Sequence, residues 1–137
     1  MFQHEVNIRV RYAETDQMGY VYYGNYATYF EVGRVESFRA IGFSYKELEA
    51  EGIGMPVLEY KTKYLAPAKY DDELTINVKI SEMPGVRIRF EYEIRNEAGK
   101  TLNIAETTLV FINMKNGRPT RLPEKFETLM RNYFKES

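Results

Sequence analysis

Between Val86 and Ile94 the chain alternates side chains without a break, Val86, Ile88, Phe90, Tyr92 and Ile94 set against Arg87, Arg89, Glu91 and Glu93. A strict period of two places one residue set on each face of a half-buried strand and excludes a helix there. The same period recurs in Leu58, Tyr60, Thr62 and Tyr64 against Glu59, Lys61 and Lys63, in Ile76, Val78 and Ile80 against Thr75, Asn77 and Lys79, and near the start in Val6, Ile8 and Val10 against Asn7, Arg9 and Arg11. Asn96-Glu97-Ala98-Gly99 reads as a hairpin turn. The strand after it, Leu102 to Ile112, carries a Leu109–Ile112 run that is apolar on both faces. Such a run needs cover on both sides, from a partner subunit or from the chain's own tail.

One long helical pattern precedes most of these strands. From Asn25 to Ile41, Tyr26, Tyr29/Phe30, Gly33, Ser37/Phe38 and Ile41 recur at helical spacing, and Gly42 stands where a left-handed residue would end the helix. Gly33 on the apolar face suggests that this helix lies close against a sheet. Ser44-Tyr45-Lys46-Glu47 matches a capping box, so a short second helix runs to about Glu51 and closes at Gly52. Asn116-Gly117 is a turn, and Pro123 opens a last amphipathic helix with Phe126, Leu129, Met130 and Tyr133 on one side. A long helix followed by four or more antiparallel strands predicts an α+β domain with helices packed on one sheet.

With 137 residues the chain fits a single domain, 1–137. The 19 Lys+Arg against 20 Asp+Glu leave a formal charge of -1, which argues against a nucleic-acid partner or a polybasic membrane anchor. Without Cys there is no disulfide, thiolate metal site or Cys nucleophile, and the first residues lack the apolar run of a secretory signal, so a cytoplasmic protein with no membrane span is expected. The single His4 lies far in sequence from any acid-rich turn, which disfavours a Ser-His-Asp triad or a multi-His zinc site. A partly exposed place on the first strand is the simpler reading of His4.

The segment from Tyr12 to Tyr26 bears most directly on chemistry. Asp16 sits in a short Gly19-containing turn just upstream of the helix, and Gly24-Asn25 suit a helix start, where unpaired N–H groups point outward and can hold an anion. The pattern Tyr12-x-x-Thr15-Asp16-x-x-Gly19-x-Val21-Tyr22-x-x-Asn25-Tyr26, followed by Tyr29-Phe30-Glu31-Val32-Gly33-Arg34-Val35-Glu36, resembles the hot-dog-fold acyl-CoA thioesterases of the 4-hydroxybenzoyl-CoA thioesterase type. The resemblance extends over the whole chain and is most specific between Tyr12 and Gly42. It implies a hot-dog fold, with a curled antiparallel sheet wrapped around the long helix. It also implies a homodimer or dimer of dimers with active sites at protomer interfaces, and thioester hydrolysis without metal or bound cofactor.

By the same resemblance Asp16 is catalytic, and Tyr23, seven residues later, supplies the backbone N–H that holds the oxyanion. A carboxylate can act as general base toward water or as a nucleophile forming a mixed anhydride, and the residues leave both routes open. Glu31 and Glu36 are reserve carboxylates, although Glu31 and Arg34, three apart, more simply form a helix-surface or interface ion pair. Tyr20, Tyr22, Tyr23, Tyr26 and Tyr29 could line a pocket or serve as ordinary core. Arg87 and Arg89 share a strand face that could meet coenzyme A phosphates or simply face water. The leading expectation is an acyl-CoA thioesterase. The alternatives are an acyl-carrier-protein thioesterase, with the same chemistry and a different outer surface, and a non-catalytic acyl-CoA-binding hot-dog protein. A hydratase or dehydratase is weakened because such relatives pair their carboxylate with a His.

Overall fold

The computed structural model describes residues 1–135. In chain order its elements are β1 (Phe2–Arg9), α1 (Tyr26–Ala40), α2 (Tyr45–Ala50), β2 (Ile53–Gly54), β3 (Val57–Tyr64), β4 (Glu73–Ile80), β5 (Arg87–Arg95), β6 (Thr101–Val110), β7 (Ile112–Asn113) and α3 (Glu124–Arg131), with one-turn 3-10 helices at Tyr12–Glu14 and Tyr23–Asn25. Five strands form one antiparallel sheet in the order β1-β4-β5-β6-β3, and β2 pairs with β7 in a separate two-stranded ribbon. The alternation in β4 and β5 becomes two faces as expected. Leu74, Ile76, Val78 and Ile80, with Ile88, Phe90, Tyr92 and Ile94, turn inward, while Arg87 and Arg89 stay outside.

The sheet curls around α1. Phe30 meets Tyr92 on β5 at 4.4 Å between ring centroids and Tyr60 on β3 at 6.1 Å, and Tyr26 meets Tyr64 edge-on at 5.1 Å. Gly33 faces β4 closely enough that a Cβ there would stand 2.9 Å from a methyl of Val78, so only glycine permits this approach. The helix ends as its sequence predicts. Gly42 is left-handed (φ 87°), its N–H donates to the Arg39 carbonyl, and the Phe43 N–H reaches back to Phe38, whose ring packs against that of Phe43. Ser44 caps α2 by accepting from the Glu47 N–H at 3.2 Å, but the Glu47 carboxylate binds Lys125 of α3 at 2.7 Å.

Two strand expectations change. The Leu102–Ile112 strand ends at Val110, because Ile112 and Asn113 leave the sheet to pair with Gly54 and Ile53. Its doubly apolar end is covered by the tail: Phe111 is fully buried against Phe126 of α3. β3, expected to be half-buried, is one of the sheet's two edge strands, and Val57, Leu58, Tyr60 and Tyr64 are all exposed. A period-two pattern specifies faces; it carries no information on whether a strand has neighbours on both sides.

Candidate active site

After β1, Val10 is pinned by hydrogen bonds to Asp71 and Asp72, and the chain makes the 3-10 turn Tyr12–Glu14 before reversing between Thr15 and Val21, which bridge each other. Asp16 lies at the start of this reversal. Its N–H donates to the Tyr20 carbonyl at 2.8 Å, and its carbonyl accepts from Gly19, whose positive φ of 78° closes the turn. Oδ1 accepts the N–H groups of Met18 (2.9 Å) and Tyr20 (3.3 Å), an Asx-type arrangement that fixes the carboxylate. Oδ2 has no protein partner among the described residues, so one oxygen is anchored and the other is open to solvent or substrate.

Tyr23 opens the second 3-10 turn, which runs directly into α1. Among the described residues its N–H donates to no protein acceptor, and it lies at the positive end of α1. The Tyr22 carbonyl accepts from Asn25 N–H at 2.9 Å; because the peptide is planar and trans, this also orients the Tyr23 N–H on the opposite edge. The Asn25 side chain does not cap the helix as its residue type suggests. Its Nδ2 donates to the Glu14 carbonyl at 2.8 Å.

Asp16 and Tyr23 line one cleft of about 420 Å³, walled by Met18, Tyr26, Tyr64 and Leu65. A second opening of about 520 Å³ reaches Asp16 from the other side, between Tyr12, Gln17 and Tyr70, the two tyrosines meeting edge-on at 5.2 Å. The carboxylate therefore stands between an apolar cleft and a more polar one. This arrangement can set a base or nucleophile beside a carbonyl whose oxygen faces a backbone donor. Of the tyrosines, Tyr20, Tyr23 and Tyr26 line the cleft, Tyr22 packs tilted against Tyr23 with ring centroids 4.6 Å apart, and Tyr29 lies in the core.

The helix carboxylates are elsewhere. Glu31 is exposed, Glu36 pairs with Arg39, and no Glu31–Arg34 ion pair forms. Arg34 points inward instead, 7% exposed, donating to the hydroxyls of Tyr92 (2.9 Å) and Tyr45 (3.3 Å) with its guanidinium 5.8 Å from the centre of the Phe90 ring. Arg89 is taken up by Glu106 at 2.5 Å and Glu91 at 3.2 Å on the outer sheet face. His4 is half-buried on β1.

A carboxylate that the sequence reading passed over sits behind the turn. Glu14 is 9% exposed. Burial alone would push its carboxyl up, yet the Arg11 N–H, the Tyr29 hydroxyl and the Arg11 guanidinium together hold it below the usual carboxylate value. The Tyr29 phenol moves the other way, raised by burial and by its hydrogen bond to Glu14. The Arg11–Glu14 spacing was the available signal; the contact with Tyr29 is made only by the fold.

Comparison with known proteins bears on the family and the fold. The thioesterase-like superfamily model matches residues 10–129. The acyl-CoA thioester hydrolase YbgC of Escherichia coli O6:H1 is 35% identical over 117 residues, 85% of this chain and 87% of that protein. The acyl-acyl carrier protein thioesterase ATL2 of Arabidopsis thaliana is 33% identical over 134 residues, 96% of this chain and 68% of that protein. The crystal structure of a DHNA-CoA thioesterase from Staphylococcus aureus superposes with a TM-score of 0.90 at 34% identity, covering 98% of this chain and 90% of that one. Among the described residues no helix is long and apolar enough to cross a membrane.

Proposed function

The chain belongs to the thioesterase-like superfamily and has its hot-dog fold, and on that premise we propose that it is an acyl-CoA thioesterase that works through Asp16 and the Tyr23 N–H. The observation that carries the reading is that two residues lining one cleft each keep an unsatisfied group, Asp16 its Oδ2 and Tyr23 its N–H. With the thioester carbonyl oxygen on the Tyr23 N–H, Asp16 takes a proton from water as the water oxygen bonds to the carbonyl carbon. The tetrahedral oxyanion then collapses, the C–S bond breaks, and the proton passes to the departing thiolate, leaving a free acid and CoA. We favour this general-base route over direct attack, because an anhydride on Asp16 has no evident group beside it to activate the water that must cleave it.

The working unit is a homodimer. The reading is supported by the uncovered edge of β3, where Val57, Leu58, Tyr60 and Tyr64 are exposed and one side of the strand's backbone has no partner strand among the described residues. The test of activity is thiol release from a panel of short, long and aromatic acyl-CoAs, repeated with the same acyl groups on acyl carrier protein. Faster turnover of carrier-bound acyl groups would reassign the substrate. Binding of acyl-CoA without thiol release would make the protein a non-catalytic binder.

A further inference from the structure

Two residues before Asp16, Glu14 uses every acceptor it has. Its Oε1 takes the Arg11 N–H at 2.8 Å and the Tyr29 hydroxyl at 2.9 Å, and its Oε2 takes Arg11 Nη2 at 3.1 Å and Nε at 3.3 Å. Its main-chain carbonyl accepts the Tyr22 N–H at 2.9 Å and Asn25 Nδ2 at 2.8 Å. The side chain therefore ties the start of the Asp16 turn to α1 through the fully buried Tyr29, while the carbonyl ties the same residue to the Tyr22 N–H and the Asn25 side chain, one before and one after Tyr23. A buried carboxylate is unfavourable unless fully hydrogen-bonded, and this one is fully hydrogen-bonded by Arg11, at the entry to the Asp16 turn, and by Tyr29, on α1.

We infer that Glu14 is a positioning residue for thioester hydrolysis, a carboxylate clamp that holds Asp16 and the Tyr23 N–H in one rigid frame across the cleft. The inference rests on the thioesterase reading above and adds a residue to it. Glu14 itself faces the protein interior and touches no reacting atom. Its effect is on the distance between base and oxyanion donor, and a misplacement of about 1 Å at such a site costs on the order of 10²-fold in rate.

The test compares wild type with Glu14→Ala, Glu14→Gln and Tyr29→Phe, measuring kcat and KM for thiol release well below each melting temperature, with residue-resolved amide hydrogen exchange on the same proteins. Glu14→Ala is expected to lower kcat by about 10- to 100-fold with KM changed less than about 3-fold, the signature of lost transition-state geometry. Glu14→Gln keeps the shape and can still accept from the Arg11 N–H and the Tyr29 hydroxyl, so it should recover most of the rate. Tyr29→Phe should fall between the two, and adding it to Glu14→Ala should cost nothing more, because both remove one connection. Exchange in Glu14→Ala should quicken at the Met18, Tyr20 and Tyr22 amides while the β4 and β5 amides stay protected.

Unchanged kcat in folded Glu14→Ala, or a raised KM at unchanged kcat, overturns the inference. If Glu14→Ala does not fold, Tyr29→Phe decides, and a wild-type kcat in that variant overturns it equally. A wild type that releases no thiol from any acyl-CoA would sink the proposed function instead, and the exchange pattern would then decide by itself whether the clamp exists.

Discussion

Asp16→Asn separates the chemical role of this residue from its structural one. Asn keeps an oxygen where Oδ1 now accepts from Met18 at 2.9 Å and Tyr20 at 3.3 Å, so the turn should survive. What changes there is a charge-assisted acceptor becoming a neutral one, a loss of about 1 kcal/mol at most for a half-exposed group, or roughly 2–5 °C in melting temperature for a domain of this size. The free Oδ2, by contrast, becomes an amide nitrogen that can accept no proton. Loss of a positioned acid-base group lowers kcat by about 10²–10⁴-fold, with KM nearly unchanged because substrate still meets the same walls. Asp16→Ala should lose as much rate and more stability, since both turn hydrogen bonds go. The assay is thiol release at saturating acyl-CoA beside a thermal melt of each variant. A folded Asp16→Asn with near-normal kcat refutes the assignment and sends the search for the base to Glu31, the exposed carboxylate on α1.

Arg34→Met should lie within about 1 kcal/mol of wild type in urea unfolding, because a buried cation without a carboxylate can be replaced by an apolar group of similar volume, whereas Arg34→Ala should cost about 2–5 kcal/mol through the cavity it leaves. Equal losses in the two variants would mean that the charge itself holds α1 to β5. The lowered carboxyl of Glu14 contributes stability that is fully present above its ordinary value of 4.5 and is lost as pH falls through the folded-state value below it. The melting-temperature gap between wild type and Glu14→Gln should therefore stay level above about pH 5 and shrink below pH 4.5, and a gap independent of pH down to 3 would contradict that. Sedimentation at micromolar concentration should show a dimer and no monomer, and Leu58→Lys on the open β3 edge should release monomer; an active, well-folded wild-type monomer ends the two-chain reading.

What could be read from the sequence was whatever depends on neighbours along the chain. The Asp16 turn needs only Gly19 and its own side chain to form, and the end of α1 needs only Gly42, so both stood in the pattern before any fold was known. Arg34 was misjudged although its place was partly visible. It follows Phe30 by four and Gly33 by one, on the stripe that faces the sheet, and the three-residue spacing to Glu31 suggested a surface pair only because helical spacing gives neighbours without saying which face is inward. The reading of β3 failed for a different reason, since being an edge is a property of topology that no residue in the strand encodes.

Glu14 shows where that limit bears on function. Its bonds to Arg11 are local and legible, but its bond to Tyr29 spans the whole Asp16 turn and the start of α1, and its carbonyl bonds to Tyr22 and Asn25 close a loop that exists only once the helix has docked. The groups proposed to act on substrate, Asp16 Oδ2 and Tyr23 N–H, are conspicuous because they are left unpaired. The group that sets their separation is inconspicuous because everything it could bond is bonded. A residue scan guided by free polar groups in the cleft would find the first two and miss the third, although a displacement of the frame by about 1 Å would remove as much rate as a hydrogen bond to the oxyanion supplies.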